Sequence, residues 1–174
     1  MGSNIFTYIQ QLEVLAFFSG YPLVFYFVRF LGRNAALTDV KGARLVSILP
    51  YAYALLGTLY IGFQFKNLYP DYSIENIRHR IQQPALIIWA LLSVLFWVPA
   101  ISKRQLLSVL HSLVFFFIIL RDLFFQLTGD ASDRNILRND MKIYTLSIFL
   151  NLAAFIFVAL VYFMDPFRKK YPKT

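Results

Sequence analysis

The side chains best equipped for chemistry are few and far apart. His111 sits in the apolar run 106–127, Asp122 follows eleven residues later, and Asn151 stands in the middle of another apolar run. An imidazole with an ordinary pKa of about 6.5 can carry a proton or hold a ligand near neutrality. It also serves as a hydrogen-bonding link between packed helices. With Ser108 and Ser112 beside it, that structural reading weighs more. A carboxylate such as Asp122 costs a few kcal/mol near a bilayer centre and less near its edge. It needs a partner or shallow depth, and an ion pair with an Arg or Lys on the same side outweighs a transport or catalytic role. Glu13 reads as an interfacial anchor, with Arg121 at matching depth. Asn151 reads as an interhelical hydrogen bond, the alternative being a cavity wall.

Several chemistries are excluded outright. Without cysteine there are no thiolate zinc sites, iron–sulfur ligands, dithiol centres or cysteine nucleophiles. The other histidine, His79, lies in a charged loop, which disfavours a transition metal or a haem held by two histidines. The stretch TGDASDRNILRND holds Asp130, Asp133 and Asp140 but lacks the glycine and terminal glutamate of a calcium loop. No serine elbow, HExxH pair or phosphate loop occurs. No metal or cofactor is implied, and the balance tilts away from an enzyme.

Such residues need a scaffold, and composition says which solvent it faces. Of 174 residues, 59% are hydrophobic and 15% charged, whereas soluble domains carry about a quarter charged residues. The expected fold is all-α: a polytopic membrane protein forming one antiparallel helical bundle over 1–174. A helix crosses about 30 Å of hydrocarbon with about 20 apolar residues, which gives five expected spans near 12–31, 45–65, 84–101, 106–127 and 143–164. Pro99 and the polar residues 102–105 break the stretch 84–127 into a hairpin. The alternative is four spans with the first run in the interface. Ser73, followed by Ile74, Ile77 and Ile81 at helical spacing, predicts a short amphipathic surface helix before the third span.

Projection at about 100° per residue gathers the polar residues into stripes. Arg104, Gln105, Ser108, His111, Ser112, Asp122 and Gln126 share one face of the fourth run, with Arg121 opposite. Asp140, Tyr144, Ser147, Asn151 and Tyr162 share a face of the fifth. Tyr8, Gln11, Ser19, Pro22, Tyr26 and Arg29 align on the first, and Ala54, Thr58 and Gly62 form a small-residue seam on the second. Only Trp89, Ser93 and Trp97 mark the third, which makes it the peripheral helix. By depth, Gln11, Glu13, Tyr144, Ser147, Asp122 and Gln126 form an outer cluster. His111, Asp122, Asn151, Ser108, Ser112, Ser147 and Tyr144 are the candidate intramembrane polar site.

Charge sets the orientation. The net charge of +8 forms no stripe suited to nucleic acid. With the amino terminus outside and the carboxy terminus cytoplasmic, inner segments hold ten Lys and Arg and outer ones seven, in the sense of the positive-inside rule. The start of the chain has no charged leader or cleavage site, so the first run is expected to be retained. Arg29, Arg33, Arg104, Arg168, Lys169 and Lys170 become candidate contacts for anionic lipid at the inner surface of a cell membrane. The leading function is a non-enzymatic accessory, assembly or lipid-interacting subunit, with a second copy or another membrane protein as partner. The alternatives are a small transporter or channel lined by spans one, four and five, and, further back, a lipid-active enzyme.

Overall fold

The computed structural model describes residues 2–34, 39–81, 83–128 and 134–164. Their regular elements are all helical: α1 (Gly2–Phe18), α2 (Tyr21–Asn34), α3 (Asp39–Leu68), α4 (Ile74–Arg80), α5 (Pro84–Leu91), a 3-10 segment (Leu92–Trp97), α6 (Pro99–Ser102), α7 (Gln105–Thr128) and α8 (Arg134–Met164). Among the described residues, four stretches are long and apolar enough to cross a membrane: Thr7–Gly32, Gly42–Leu68, Gln105–Phe125 and Met141–Met164. The outward faces are apolar too, with Phe117, Phe149, Phe157 and Leu160 all exposed. These features fit a membrane protein.

The run that falls short is the third, whereas the four-span alternative puts the first in the interface. Pro84 and Pro99 bracket it. Pro84 starts α5, and Val98, ahead of Pro99, takes the extended conformation that a following proline favours. Pro84–Trp97 is all the helix that fits between.

The first run is two helices. Ser19 turns its hydroxyl back onto the Leu15 carbonyl at 2.7 Å, and Pro22 can donate no N–H to the turn below it. The helix therefore stops at Phe18 and restarts at Tyr21. At the other ends, α3 and α8 run beyond the apolar cores of their spans through charged residues that need no burial. The predicted surface helix is α4, capped where Asn76 N–H meets the Ser73 hydroxyl.

An aromatic core holds the bundle. Phe17 meets Phe63, Phe18 meets Tyr60 and Tyr21 meets Tyr53, at centroid separations of 5.7, 5.5 and 4.4 Å. Numbers rising in the first run pair with numbers falling in α3, so the two are antiparallel. Hydrogen bonds from Gln11 to Asp122 and between Tyr21 and Ser108 set α7 antiparallel to the first run as well. The third run lies along α3 in the opposite sense: Ser93 abuts Gly57, and Trp97 reaches Tyr51 and Thr58. Two glycines of α3 permit close packing. A Cβ on Gly57 would overlap the Ser93 hydroxyl, and one on Gly42 would overlap the Gly32 carbonyl of α2.

Candidate functional site

The polar stripes close on one another. His111 is held from both sides: its Nδ1 lies 2.8 Å from the Tyr53 hydroxyl and its Nε2 lies 2.9 Å from the Trp89 carbonyl. A carbonyl only accepts, so Nε2 carries the proton and Nδ1 of the neutral ring accepts from Tyr53. The ring also stacks on Trp89 at 4.7 Å and 7°, and the Trp89 indole N–H returns a bond to the His111 carbonyl at 3.1 Å. Nearby, Ser108 donates to the Gln105 carbonyl and so accepts from Tyr21. Ser112 is buried and donates to its own helix at Val109.

Ser147 and Asn151 repair the broken first run. The Gly20 N–H, released where α1 stops, donates to the Ser147 hydroxyl at 2.8 Å. The Asn151 amide donates to the Phe17 carbonyl at 2.9 Å and to its own Ser147 carbonyl at 2.8 Å. A broken helix inside hydrocarbon survives only where neighbours re-satisfy its backbone, and here α8 does so. The approach is close enough that a Cβ on Gly20 would come within 2.6 Å of the Ile148 nitrogen. Asn151 Oδ1 is buried with no hydrogen-bond partner among the described residues.

The expected outer cluster does not stay together. Asp122 accepts from Gln11 at 2.6 Å and pairs with its neighbour Arg121 at 2.8 Å. The expected pairing of Arg121 with Glu13 does not form, because the long guanidinium arm swings back around α7 onto the adjacent carboxylate. Tyr144 is half-buried against Phe116. Glu13 faces elsewhere, and Gln126 lies outside the described side chains. The basic candidates do not gather: Arg29 and Arg104 are exposed on different helices, while the Arg33 side chain and Arg168, Lys169 and Lys170 lie outside what is described. On the second span, Thr58 accepts from Trp97 at 3.0 Å, but Gly62 has nothing within 4 Å of a Cβ position. The close approach belongs to Gly57 instead.

A pocket of about 1030 Å³ opens between α1, α3, α4 and α5. Ile9, Ile61, Phe65, Leu68, Ile87 and Leu91 form its apolar wall; Gln10, Glu13, Gln64, Asn67 and Arg80 bring polar groups to it. Gln10 fastens the rim, donating to the Arg80 carbonyl and accepting from the Gln83 N–H, both at 3.0 Å. Arg80 is anchored by the Asn67 carbonyl at 2.7 Å and the Asn76 side chain at 3.1 Å. By contrast, no hydrogen bond or ion pair engages the Glu13 carboxylate among the described residues. The Tyr60 hydroxyl, behind the pocket wall and within electrostatic range of Glu13, is buried beside the Gln64 side chain, and neither it nor the Gln64 amide nitrogen makes a well-formed hydrogen bond among the described residues.

No family model matches this chain, and neither does any curated protein or solved structure. Function therefore has to be argued from the site. The described residues contain no cluster of three or more metal-ligating side chains.

Sequence reading reached Glu13 but not the pocket. Two spacings carry the signal: Gln10 and Glu13 are three apart on α1, and Tyr60 and Gln64 four apart on α3, so each pair lies on one helical face.

Proposed function

We propose that the protein is a non-enzymatic multipass membrane subunit that holds a membrane lipid in the pocket between α1, α3, α4 and α5. One observation carries this reading. His111, Ser108, Ser147 and Asn151 in the middle of the bundle are engaged in joining helices, while the pocket wall is mainly apolar with a few polar groups among it. Its volume is at the upper end of the usual range for ligand sites, about 300–1,000 Å³.

The same proposal includes five crossings. Supporting it, the third run lies along α3 from the level of Ile61 and Gln64 to that of Tyr51. A 3-10 segment rises about 2.0 Å per residue against 1.5 Å for an α-helix. Pro84–Trp97 thus covers about 24 Å, and the α6 turn brings the run close to the thickness of a hydrocarbon core. The charge distribution supports an outside amino terminus and a cytoplasmic carboxy terminus in a cell membrane. Arg29, Arg33, Arg104, Arg168, Lys169 and Lys170 would then meet anionic lipid, and the exposed apolar faces of α7 and α8 offer room for a second copy or another membrane protein.

The test is ligand-linked stability. A lipid at one hundred times its Kd adds about 2.7 kcal/mol to a folded state that binds it. Stripped protein should therefore melt higher when lipid is restored, and the Leu91→Trp variant, with an indole in the pocket, should not respond. Equal responses from the two proteins would overturn the proposal.

A further inference from the structure

Within that lipid pocket, on whose existence this inference rests, charge changes sign with depth. Arg80 is fastened at the rim. Its backbone carbonyl accepts from Gln10, and its guanidinium donates to the Asn67 carbonyl in the last turn of α3 and to the Asn76 side chain. Those two bonds leave the other three of its five N–H donors without a partner among the described residues. Glu13 lies three residues further along α1 than Gln10, about 4.5 Å into the bundle. Its carboxylate lines the same pocket and makes no hydrogen bond or ion pair among the described residues. Deeper still the wall is hydrocarbon: Ile61 is six residues inward of Asn67 on α3, about 9 Å, and Leu91 ends α5.

From the rim inwards the pocket thus presents a cation, then an anion, then apolar surface. An occupant that matches it carries an anion outermost, a cation next and hydrocarbon last. Phosphatidylethanolamine and phosphatidylcholine have the reverse order, with the ammonium at the tip of the head and the phosphate nearer the chains. Between phosphate and chains, a diacyl glycerolipid offers only ester oxygens, which would set acceptor against acceptor at Glu13. A fatty acid has no cation, and a simple long-chain amine has no anion.

We propose that the pocket selects a lipid whose primary ammonium stands between its phosphate and its chain, the arrangement of a sphingoid base phosphate. The phosphate sits at the rim on the uncommitted Arg80 donors, in a charge-assisted guanidinium–phosphate contact. The ammonium, on the second carbon in from the phosphate oxygen, reaches Glu13 and supplies the partner that a charge withdrawn from water needs. The chain follows Ile61 and Leu91. Ile9 and Phe65 both line the pocket and are exposed, so its mouth is open to the surrounding hydrocarbon.

The experiment titrates the detergent-solubilised full chain with four probes of matched chain length: sphinganine phosphate, unphosphorylated sphinganine, lysophosphatidate and phosphatidylethanolamine. Native mass spectrometry counts the bound lipid. Lysophosphatidate keeps the phosphate but has a hydroxyl where the ammonium stands, which predicts about tenfold weaker retention than sphinganine phosphate. Loss of the phosphate, or reversal of the two charges in phosphatidylethanolamine, should weaken retention about as much. In Glu13→Gln the preference for sphinganine phosphate over lysophosphatidate should fall to about twofold or less, while the preference over unphosphorylated sphinganine remains. Arg80→Gln should show the opposite pattern. Wild-type protein that retains lysophosphatidate or phosphatidylethanolamine as tightly as sphinganine phosphate overturns this inference and leaves the pocket proposal standing, as does a Glu13→Gln variant that keeps the full ammonium preference. Wild-type protein that retains none of the four overturns the inference, and if restored membrane lipid also leaves its melting temperature unmoved, the pocket proposal falls with it. The comparison among lipids on wild-type protein decides the matter even if a variant fails to fold.

Discussion

Two regions of the bundle treat their polar groups in opposite ways. At the Ser19–Gly20 break, the Gly20 N–H and the Phe17 carbonyl are taken up by side chains on α8, and the helices touch at backbone distance. At the pocket between α1, α3, α4 and α5, the Glu13 carboxylate takes part in no hydrogen bond or ion pair among the described residues, and Gln64 and Arg80 bring further polar groups to the same wall. Unwound backbone inside a membrane is often where a binding site forms. In this chain the break is filled by protein, and the unsatisfied groups stand elsewhere. Polarity within a span is therefore a poor guide to function unless one asks whether each polar group is already paired.

If that contrast is right, substitutions at the break and its neighbours cost stability, and those at the pocket do not. The largest effect should come from Gly20→Ala. Its Cβ would press on the backbone of Ile148 and Ser147 at 2.6–2.9 Å, which neither helix can relieve by a rotamer change. We expect a loss of about 1–3 kcal/mol, seen as a lowered melting temperature. His111→Phe keeps a ring against Trp89 but strands the fully buried Tyr53 hydroxyl. Thermal denaturation should register a comparable or slightly smaller loss, about 1–3 kcal/mol. A proton-conducting His111 would instead show altered flux in liposomes with stability unchanged.

Asn151→Ala comes next. Interhelical hydrogen bonds in membranes average about 0.6 kcal/mol, and removal of the Asn151 Oδ1, unpaired among the described residues, offsets part of the loss. The smallest effect belongs to Gly62→Ala, within about ±0.5 kcal/mol, since a Cβ there meets open space. A Gly62 variant as damaging as the Gly20 variant would mean that the small-residue seam packs against a partner in the membrane.

These sites show how far sequence reasoning reached. Helical projection brought Ser147 and Asn151 to one face because polarity alone orients a residue in a lipid solvent, and both are buried. It did not identify what they bind, the Gly20 N–H and the Phe17 carbonyl, because backbone groups become available only where a helix breaks. Ser19, Gly20 and Pro22 together carried that signal. His111 was recognised as a residue needing partners, yet Tyr53 and the Trp89 carbonyl come from two other elements, and no local spacing predicts such a meeting. Gly62 continued a pattern of every fourth residue, whereas Gly57 lies off that pattern and makes the close contact. The pocket was least legible, since a cavity is defined by what four elements fail to fill. Arg121 illustrates the remaining gap: its projected direction is opposite to that of Asp122, but its side chain is long enough to reach back.

The most direct test of this contrast is a crossed measurement on two variants, Leu91→Trp at the pocket and Asn151→Ala at the repaired break, recording bound lipid and melting temperature for each. The account predicts that lipid-stripped Leu91→Trp melts like stripped wild-type protein but regains no lipid, while Asn151→Ala melts lower and binds lipid as wild-type does. Lipid lost from Asn151→Ala and kept by Leu91→Trp would contradict it.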